Sequence, residues 1–383
     1  MTSCEALPIH VSAYITKLLP PAFRPPVAAT IYDIAERANV STATVSRVLN
    51  KPAEVSASTR SRVLEAAQEL NYQPHASAQN LARQHTNYIA VVAPVVANYF
   101  YMHVMRGIQH VLADREYDLM IHVPSHPEDI DKRLKSAIQP GRSDGVLLLS
   151  TPPNESWADR IKDVDRPTIL VDAYHPDIES IAVDNERGGY DATRHLIGLG
   201  YERIAHITAD PEPPPATQRR EGYERALREA GRDVDPTLIA ASDALPFAFA
   251  EKGGYQAMQT LLRRQPRPDA VFAASDMQAL GALDAVQEAG LSVPEDIAIV
   301  GFDDTDLSRF AGLTTLRQPA EAMGKRATEA LLRHIENANQ PVSNTVLAPQ
   351  LVVRRTCGAE SSVAANGQAP NKSSTASEPT TPS

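Results

Sequence analysis

The chain has 383 residues, with 37 Lys and Arg against 47 Asp and Glu and a formal charge of −10. That length is enough for two or three domains and a large core, and 43% hydrophobic with 22% charged residues excludes wholesale disorder. The two cysteines, Cys4 and Cys357, lie near opposite ends, which excludes a disulfide framework and a thiolate zinc site, and the acidic balance at face value argues against nucleic acid as a partner.

In chain order, residues 1–29 are proline-rich without a sustained period and read as a disordered extension. They carry no basic n-region followed by an apolar run, so no secretory signal is read. The most apolar stretch, Ile89–Met105, is too short for a membrane span and contains Pro94, Asn98 and His103. The expected location is cytoplasmic, with no membrane partner.

Residues 30–73 read as three short helices. Thr30 is positioned to cap the first, with Ile34, Ala35 and Ala38 on one face; Asn39 suits the left-handed turn, and Ser41 caps the second helix. On that helix Val45, Val48 and Leu49 share one side, while Thr42, Ala43, Ser46 and Arg47 share the other. Small side chains around one arginine form a surface able to enter a DNA major groove, where arginine pairs with a guanine edge. A plain three-helix bundle with a polar face fits the same pattern. The third helix is expected to be capped near Ser58, to bury Val63, Leu64, Ala67 and Leu70, and to end at Asn71.

Charge is unevenly divided. Residues 1–85 hold eight basic and six acidic groups, a balance of +2, which leaves −12 for the rest. The first 85 residues, which include the helical head, are thus mildly basic, and the acidity belongs to the residues beyond them. Residues 74–87 contain the small-residue run Pro74 to Arg83, with Leu81 as its one large apolar residue. Such a run reads either as a linker or as a helix formed on binding, with Leu81 wedged between base steps in a minor groove.

From residue 88 to 357, apolar runs alternate with helical periods. The runs are 89–94, 118–123, 145–150, 168–173, 180–185, 203–209, 237–242, 269–275 and 297–304, and helices are expected over 102–116, 218–230, 255–265 and 276–289. Continuous apolar runs mark strands buried on both faces of parallel sheets, and nine or ten strands require two lobes. The fold expected is an all-α helix-turn-helix head joined to an α/β core of two doubly wound lobes. Residues 358–383 are Ser/Thr/Ala/Pro-rich and read as a disordered tail.

The strings TIYDIAERANVSTATVSRVLN, VSASTRSRVLEAAQELNYQP and AQNLA resemble the LacI (lactose-repressor) family of bacterial transcription regulators. Later strings agree in order: NYFYMHVMRGI, DGVLLLS, VDNERGG, QRREGYERAL, AASDMQALGAL, VPEDIAIVGFDD and LTTLRQP. The resemblance spans residues 30–356. It implies a homodimer on a palindromic operator, a hinge helix, and a core like the periplasmic sugar-binding proteins. By that resemblance Thr42, Ala43 and Arg47 face bases; Tyr32, Ser46, Asn50 and Ser56 touch phosphates; and Ala78 permits the close approach of Leu81 in the minor groove. Members usually begin a few residues before the helix-turn-helix. Val27 would therefore be the family's start if encoded by a GTG initiator, with residues 1–26 an artefact.

Several polar residues fall where strands end: Ser150, Asp172, Asp184, Ser275 with Asp276, and Asp303 with Asp304, while Arg219 opens a helix near the same cleft. Carboxylates accept from paired hydroxyls and arginine donates to ring or hydroxyl oxygens, so this set suits a polyol. Asp184 and Asp276 read equally well as helix caps or loop acceptors. The resemblance puts Asp172, Arg219, Ser275 and Asp303 at effector-contact positions, with Asn98, Tyr101, Ser150, Phe247 and Gln318 as further candidates. The implied partner is a small sugar or sugar derivative. Neighbours on a strand point to opposite faces, so Asp303 and Asp304 cannot share a substrate. Nucleophile-elbow, zinc-protease, Walker and dinucleotide-binding strings are missing, so no enzyme, cofactor or metal is expected. A transport binding protein would share the core but would need a signal peptide and no head.

Overall fold

The computed structural model describes residues 29–72, 85–95, 98–124, 126, 129–164, 166–210, 213–242, 249–337 and 340–359. All of the expected extension over 1–29 but its last residue, with the Val27 start, and nearly all of the expected tail lie outside them, as do Ala78 and Leu81. The chain divides into two units, one ending at Thr86 and one beginning at Asn87.

The first unit contains α1 (Ile31–Ala38), α2 (Thr42–Asn50) and α3 (Ala57–Glu69). Thr30 and Asp33 form a reciprocal capping box at the start of α1, and the Thr30 bonds hold the Asp33 carboxyl below its ordinary range. Asn39 closes the helix at φ 51°, and Ser41 accepts from Thr44 N to open α2. Ile34, Ala35, Ala38, Val45, Val48, Val63 and Ala66 form the core. Three expectations change on α3. Its cap is Ser56 rather than Ser58, it ends at Glu69 rather than Asn71, and Leu64 is 48% exposed. Val63 and Ala66 set the buried stripe, with Ala67 and Leu70 packed beside it, and Leu64 falls about 100° off that line.

The second unit holds two six-stranded sheets. The first is built from β1 (Tyr88–Val92), β2 (Asp118–His122), β3 (Gly145–Leu149), β4 (Thr168–Val171), β5 (Ser180–Val183) and β11 (Asn344–Leu347), in the order β2-β1-β3-β4-β5-β11. The second uses β6 (Ile204–Ala209), β7 (Ile239–Ser242), β8 (Ala270–Ala273), β9 (Ala298–Asp303), β10 (Thr314–Arg317) and β12 (Gln350–Val352), in the order β7-β6-β8-β9-β10-β12. All pairings are parallel except β10 with β12. Both sheets turn back beside their first strand, between β1 and β3 and between β6 and β8, the point at which such folds bind ligands. The two doubly wound lobes match the expected architecture, with three strands more than the nine runs indicated. β11 and β12 are half-exposed edge strands, and the buried β10 begins with two threonines whose hydroxyls are bonded to Arg354 O and the Asp276 carboxylate.

The helices are α4 (Tyr99–Leu112), α5 (Ile130–Ala137), α6 (Glu155–Asp163), α7 (Asn185–Gly198), α8 (Pro214–Glu229), α9 (Glu251–Leu262), α10 (Asp276–Glu288), α11 (Asp306–Ala311) and α12 (Ala320–Glu336). α4 starts three residues before its expected position because Asn98 caps it. α8 starts earlier too, with prolines in its first turn, where the missing N–H costs nothing. The chain crosses between lobes three times: from β5 into α7, from β10 into α12, and from β11 to β12. α12 returns to the first lobe against α4, so closely that a Cβ on Gly107 would lie 2.0 Å from Glu321 O. α7 meets α8 as tightly, with a Cβ on Gly189 placed 2.0 Å from Arg219 O.

Candidate functional site

On the first unit, α2 is two-faced as its sequence predicts. Val45 and Val48 are buried, Ala43, Ser46 and Arg47 are exposed, and Thr42 is half-buried. Arg37 pairs with Glu69 at 2.6 Å and Lys51 with Glu54 at 3.3 Å, but among the described residues no ion pair engages Arg47. Its guanidinium is therefore available to a partner. Tyr32 stands 71% exposed on α1. Ser56 is exposed, and its hydroxyl caps α3 while bonding Thr59 Oγ1 at 3.0 Å. The Asn50 side chain lies outside the described residues.

In the second unit, the strand ends bring polar groups into one cleft. Ser150 and Asp172 follow β3 and β4 in the left-handed region, at φ 44° and 54°, and Asp303 ends β9 at φ 135°. Non-glycine residues take such conformations at a cost of about 1–3 kcal/mol, and those that do cluster at ligand sites. Ser150 Oγ donates to Asp172 Oδ2 at 2.9 Å, leaving Asp172 Oδ1 buried without a partner. Burial raises the Asp172 carboxyl above its ordinary range, opposed by the Arg219 charge and the Ser150 bond.

Arg219 lies across from this pair on α8 and is only 3% exposed. Its Nε donates to Asn185 Oδ1 at 2.9 Å and one terminal nitrogen to Ala274 O at 2.5 Å. The guanidinium lies 3.7 Å from the centroid of the Phe302 ring and 5.5 Å from that of Phe249. Gly188 accommodates the Phe302 ring, since a Cβ there would come within 2.5 Å of it. Gln318 Nε2 donates to Asp303 Oδ1 at 2.5 Å, and Gln318 Oε1 is buried without a partner. Burial, together with the neighbouring Asp276 carboxylate, pushes the Asp303 carboxyl up to about 7. The Tyr101 hydroxyl is raised by burial and lies within electrostatic reach of Asp172, Asp303 and Arg219. Tyr101, Ser150 and Asp172 from one lobe thus meet Arg219, Asp303 and Gln318 from the other.

The remaining candidates fare differently. Asn98 caps α4, accepting from Phe100 N at 2.8 Å. Ser275 caps α10, accepting from Gln278 N at 3.1 Å and donating to Phe249 O at 3.2 Å. Phe247 lies outside the described residues. Asp184 caps α7 through Arg187 N at 2.9 Å. Asp276 is a buried acceptor for Thr305 N at 2.8 Å, Thr315 Oγ1 at 2.5 Å and Ser308 Oγ. Asp304 turns away from Asp303 to Arg317 at 2.6 Å and Arg354 at 2.5 Å, as strand alternation requires. Sequence reasoning passed over Asn185, Phe249 and Phe302. Only the position of Asn185 at the first crossover, directly after Asp184, could have drawn notice.

Comparison with known proteins agrees over most of the chain. The profile of bacterial regulatory proteins of the lacI family matches residues 30–75, and that of the periplasmic binding protein-like domain matches residues 193–357. The chain is 35% identical to the HTH-type transcriptional repressor CytR of Escherichia coli K12, over 85% of this chain and 96% of that protein. It is 35% identical to the ribose operon repressor of the same strain, over 85% and 99%. Among solved structures, the lac repressor dimer bound to operator and the anti-inducer ONPF superposes with a TM-score of 0.72 at 28% identity, covering 86% of this chain and 99% of that one. A complex of the transcriptional regulator CelR with cellobiose gives 0.64 at 31% identity, with the same coverage. The chain belongs to the LacI family of bacterial regulatory proteins.

Proposed function

We propose that this protein is a homodimeric, sequence-specific DNA-binding repressor, controlled by a small, uncharged, polyhydroxylated effector held between the core lobes. The observation that carries the reading is the interlobe cluster around Arg219, on the same chain as an exposed α2 face with Arg47 at its centre. In the cleft, Asp172 Oδ1 and Gln318 Oε1 are buried acceptors awaiting donors, which hydroxyl groups supply. Asp172 and Asp303 outnumber Arg219, and the Asp276 carboxylate lies behind them, so the field disfavours a phosphorylated ligand. An effector that bridges Asp172 and Arg219 selects one relation between the lobes. Effector and operator affinities are then linked reciprocally, by about 1–3 kcal/mol.

The domain plan proposed is a DNA-binding head over 30–73, a hinge over 74–87 placing Ala78 and Leu81 in the minor groove, and a core over 88–357, with residues 1–29 and 358–383 outside these parts. Thr42, Ala43 and Arg47 read bases; Tyr32, Ser46, Asn50 and Ser56 anchor phosphates. Asn98, Ser275 and Phe247 are further effector contacts in this reading. The protein acts by binding, without turnover, in the cytoplasm. Among the described residues no helix is long and apolar enough to cross a membrane. The −12 balance of residues 86–383 discourages DNA contact through the core, whereas the head over 30–73, with five basic and five acidic residues, carries no net repulsion.

Selection of binding sites from a random duplex pool tests the reading. A two-fold symmetric sequence should be enriched, and Arg47→Ala should relax preference at one base pair per half-site by about 1–3 kcal/mol. Unchanged specificity in the variant would remove the base-reading role.

A further inference from the structure

A second cavity, of about 430 Å³, lies on the first lobe between α5, the turn that follows it and α6. Its size is that of a small-molecule pocket. None of the residues assigned to the interlobe cleft lines it. The apolar part comprises Trp157, Ile138, Pro140 and Val164, and the charged part is Lys132, Lys135 and Arg160, with no acidic residue among the described residues that line it. The Trp157 indole is fixed by a 2.7 Å bond from Nε1 to Asp131 Oδ1, and the Arg160 guanidinium stands 5.1 Å from the ring centroid.

The charge of this pocket is out of keeping with its surroundings. Residues 86–383 carry −12, and within this lobe Lys162 pairs with Asp177 at 2.8 Å and Arg333 with Glu179 at 3.6 Å. Among the described residues no ion pair engages Lys132, Lys135 or Arg160. Lys135 and Arg160 lie in the last turns of their helices, where a cation is favoured without any ligand. Lys132 lies in the first turn of α5, where the helix dipole disfavours it, so local helix stability does not account for it. Three cations around a concave floor with a fixed aromatic ring match a molecule that joins a flat apolar body to a negative group.

From this geometry we infer a second ligand site, for a small aromatic or flat aliphatic anion bearing a carboxylate or phosphate. Trp157 is the only tryptophan in the chain, so its emission comes from a single reporter in the wall of this pocket. Phenyl phosphate titrated into the full-length protein should change that emission saturably. Inorganic phosphate, which lacks the ring, and benzyl alcohol, which lacks the charge, should each bind at least tenfold more weakly. The exposed double substitution Lys132→Glu/Lys135→Glu, and separately Arg160→Gln, should weaken phenyl phosphate at least tenfold, whereas Arg219→Met in the cleft should leave it unchanged. A response that never saturates, that benzyl alcohol equals, or that survives both sets of substitutions overturns the inference. So does a response lost in Arg219→Met, which would assign it to the cleft.

Discussion

Asp303 is a buried carboxyl whose proton is held up to about 7 by burial and the Asp276 carboxylate, against an ordinary value of 3.8. Between about pH 4 and 7 the native protein therefore keeps a proton that the unfolded chain has released. Stability falls as pH rises through that window, by about 1.4 kcal/mol per unit at most, and the whole penalty, about 4 kcal/mol, is present above pH 7. Asp303→Asn keeps the acceptor oxygen that Gln318 Nε2 donates to and removes the charge. Because Asp276 shares the field, a gain of about 2–4 kcal/mol at pH 8 is expected, shrinking toward zero near pH 4. For a domain of this size that is a rise in Tm of about 5–10 °C at pH 8, read from thermal melts at pH 4.5, 6, 7 and 8. The same variant should lose its response to effector, since the strand-end carboxylate is gone. A stability change that does not depend on pH, or a variant less stable than the parent at pH 8, would refute the reasoning.

The site and the hinge each supply a further expected outcome. Asn185→Ala leaves the buried Arg219 Nε–H without its acceptor, a loss of about 1.5–3 kcal/mol for a hydrogen bond to a charged group. Effector affinity should fall at least tenfold in titration calorimetry while operator affinity without effector holds; undiminished effector affinity would show that Arg219 does not need this anchor. Leu81→Ala should weaken binding to the selected operator far more than to random duplex, as read by mobility shift, whereas equal losses would make residues 74–87 a passive linker.

Much of the fold was legible because buried parallel strands write themselves as unbroken apolar runs, as Gly145–Leu149 does, and because Thr30, Asn39 and Ser41 carry their cap chemistry in the sequence. β10 to β12 were not legible: their residues are Thr-rich or alternate with exposed positions, so they resemble loops until the sheet pairs them. The sequence does not separate Ser56 from Ser58 as the cap, because the two serines stand two residues apart at the start of the same helix, Ser56 before it and Ser58 as its second residue, and each offers the same oxygen. In the cleft, position at a strand end pointed to Asp172 and Asp303. It could not separate Asp303, whose neighbours leave it facing Arg219, from Asp276, which three donors bind from elements 29 to 39 residues away. Asn185 and Phe302 stayed hidden for a related reason. Their part is to hold Arg219, 34 residues beyond one and 83 before the other, and only the packing of α7, α8 and β9 brings the three together.

The central claim is that a ligand between the lobes sets the affinity of the head for its operator. The most direct measurement is occupancy of the selected operator, by fluorescence anisotropy, as neutral sugars and nucleosides and their phosphorylated counterparts are added to the parent protein and to Arg219→Met. At least one neutral polyol should change occupancy of the parent saturably, its phosphorylated counterpart should not, and Arg219→Met should bind the operator without responding. An identical response in the variant, or a panel to which the parent is indifferent, would contradict the account.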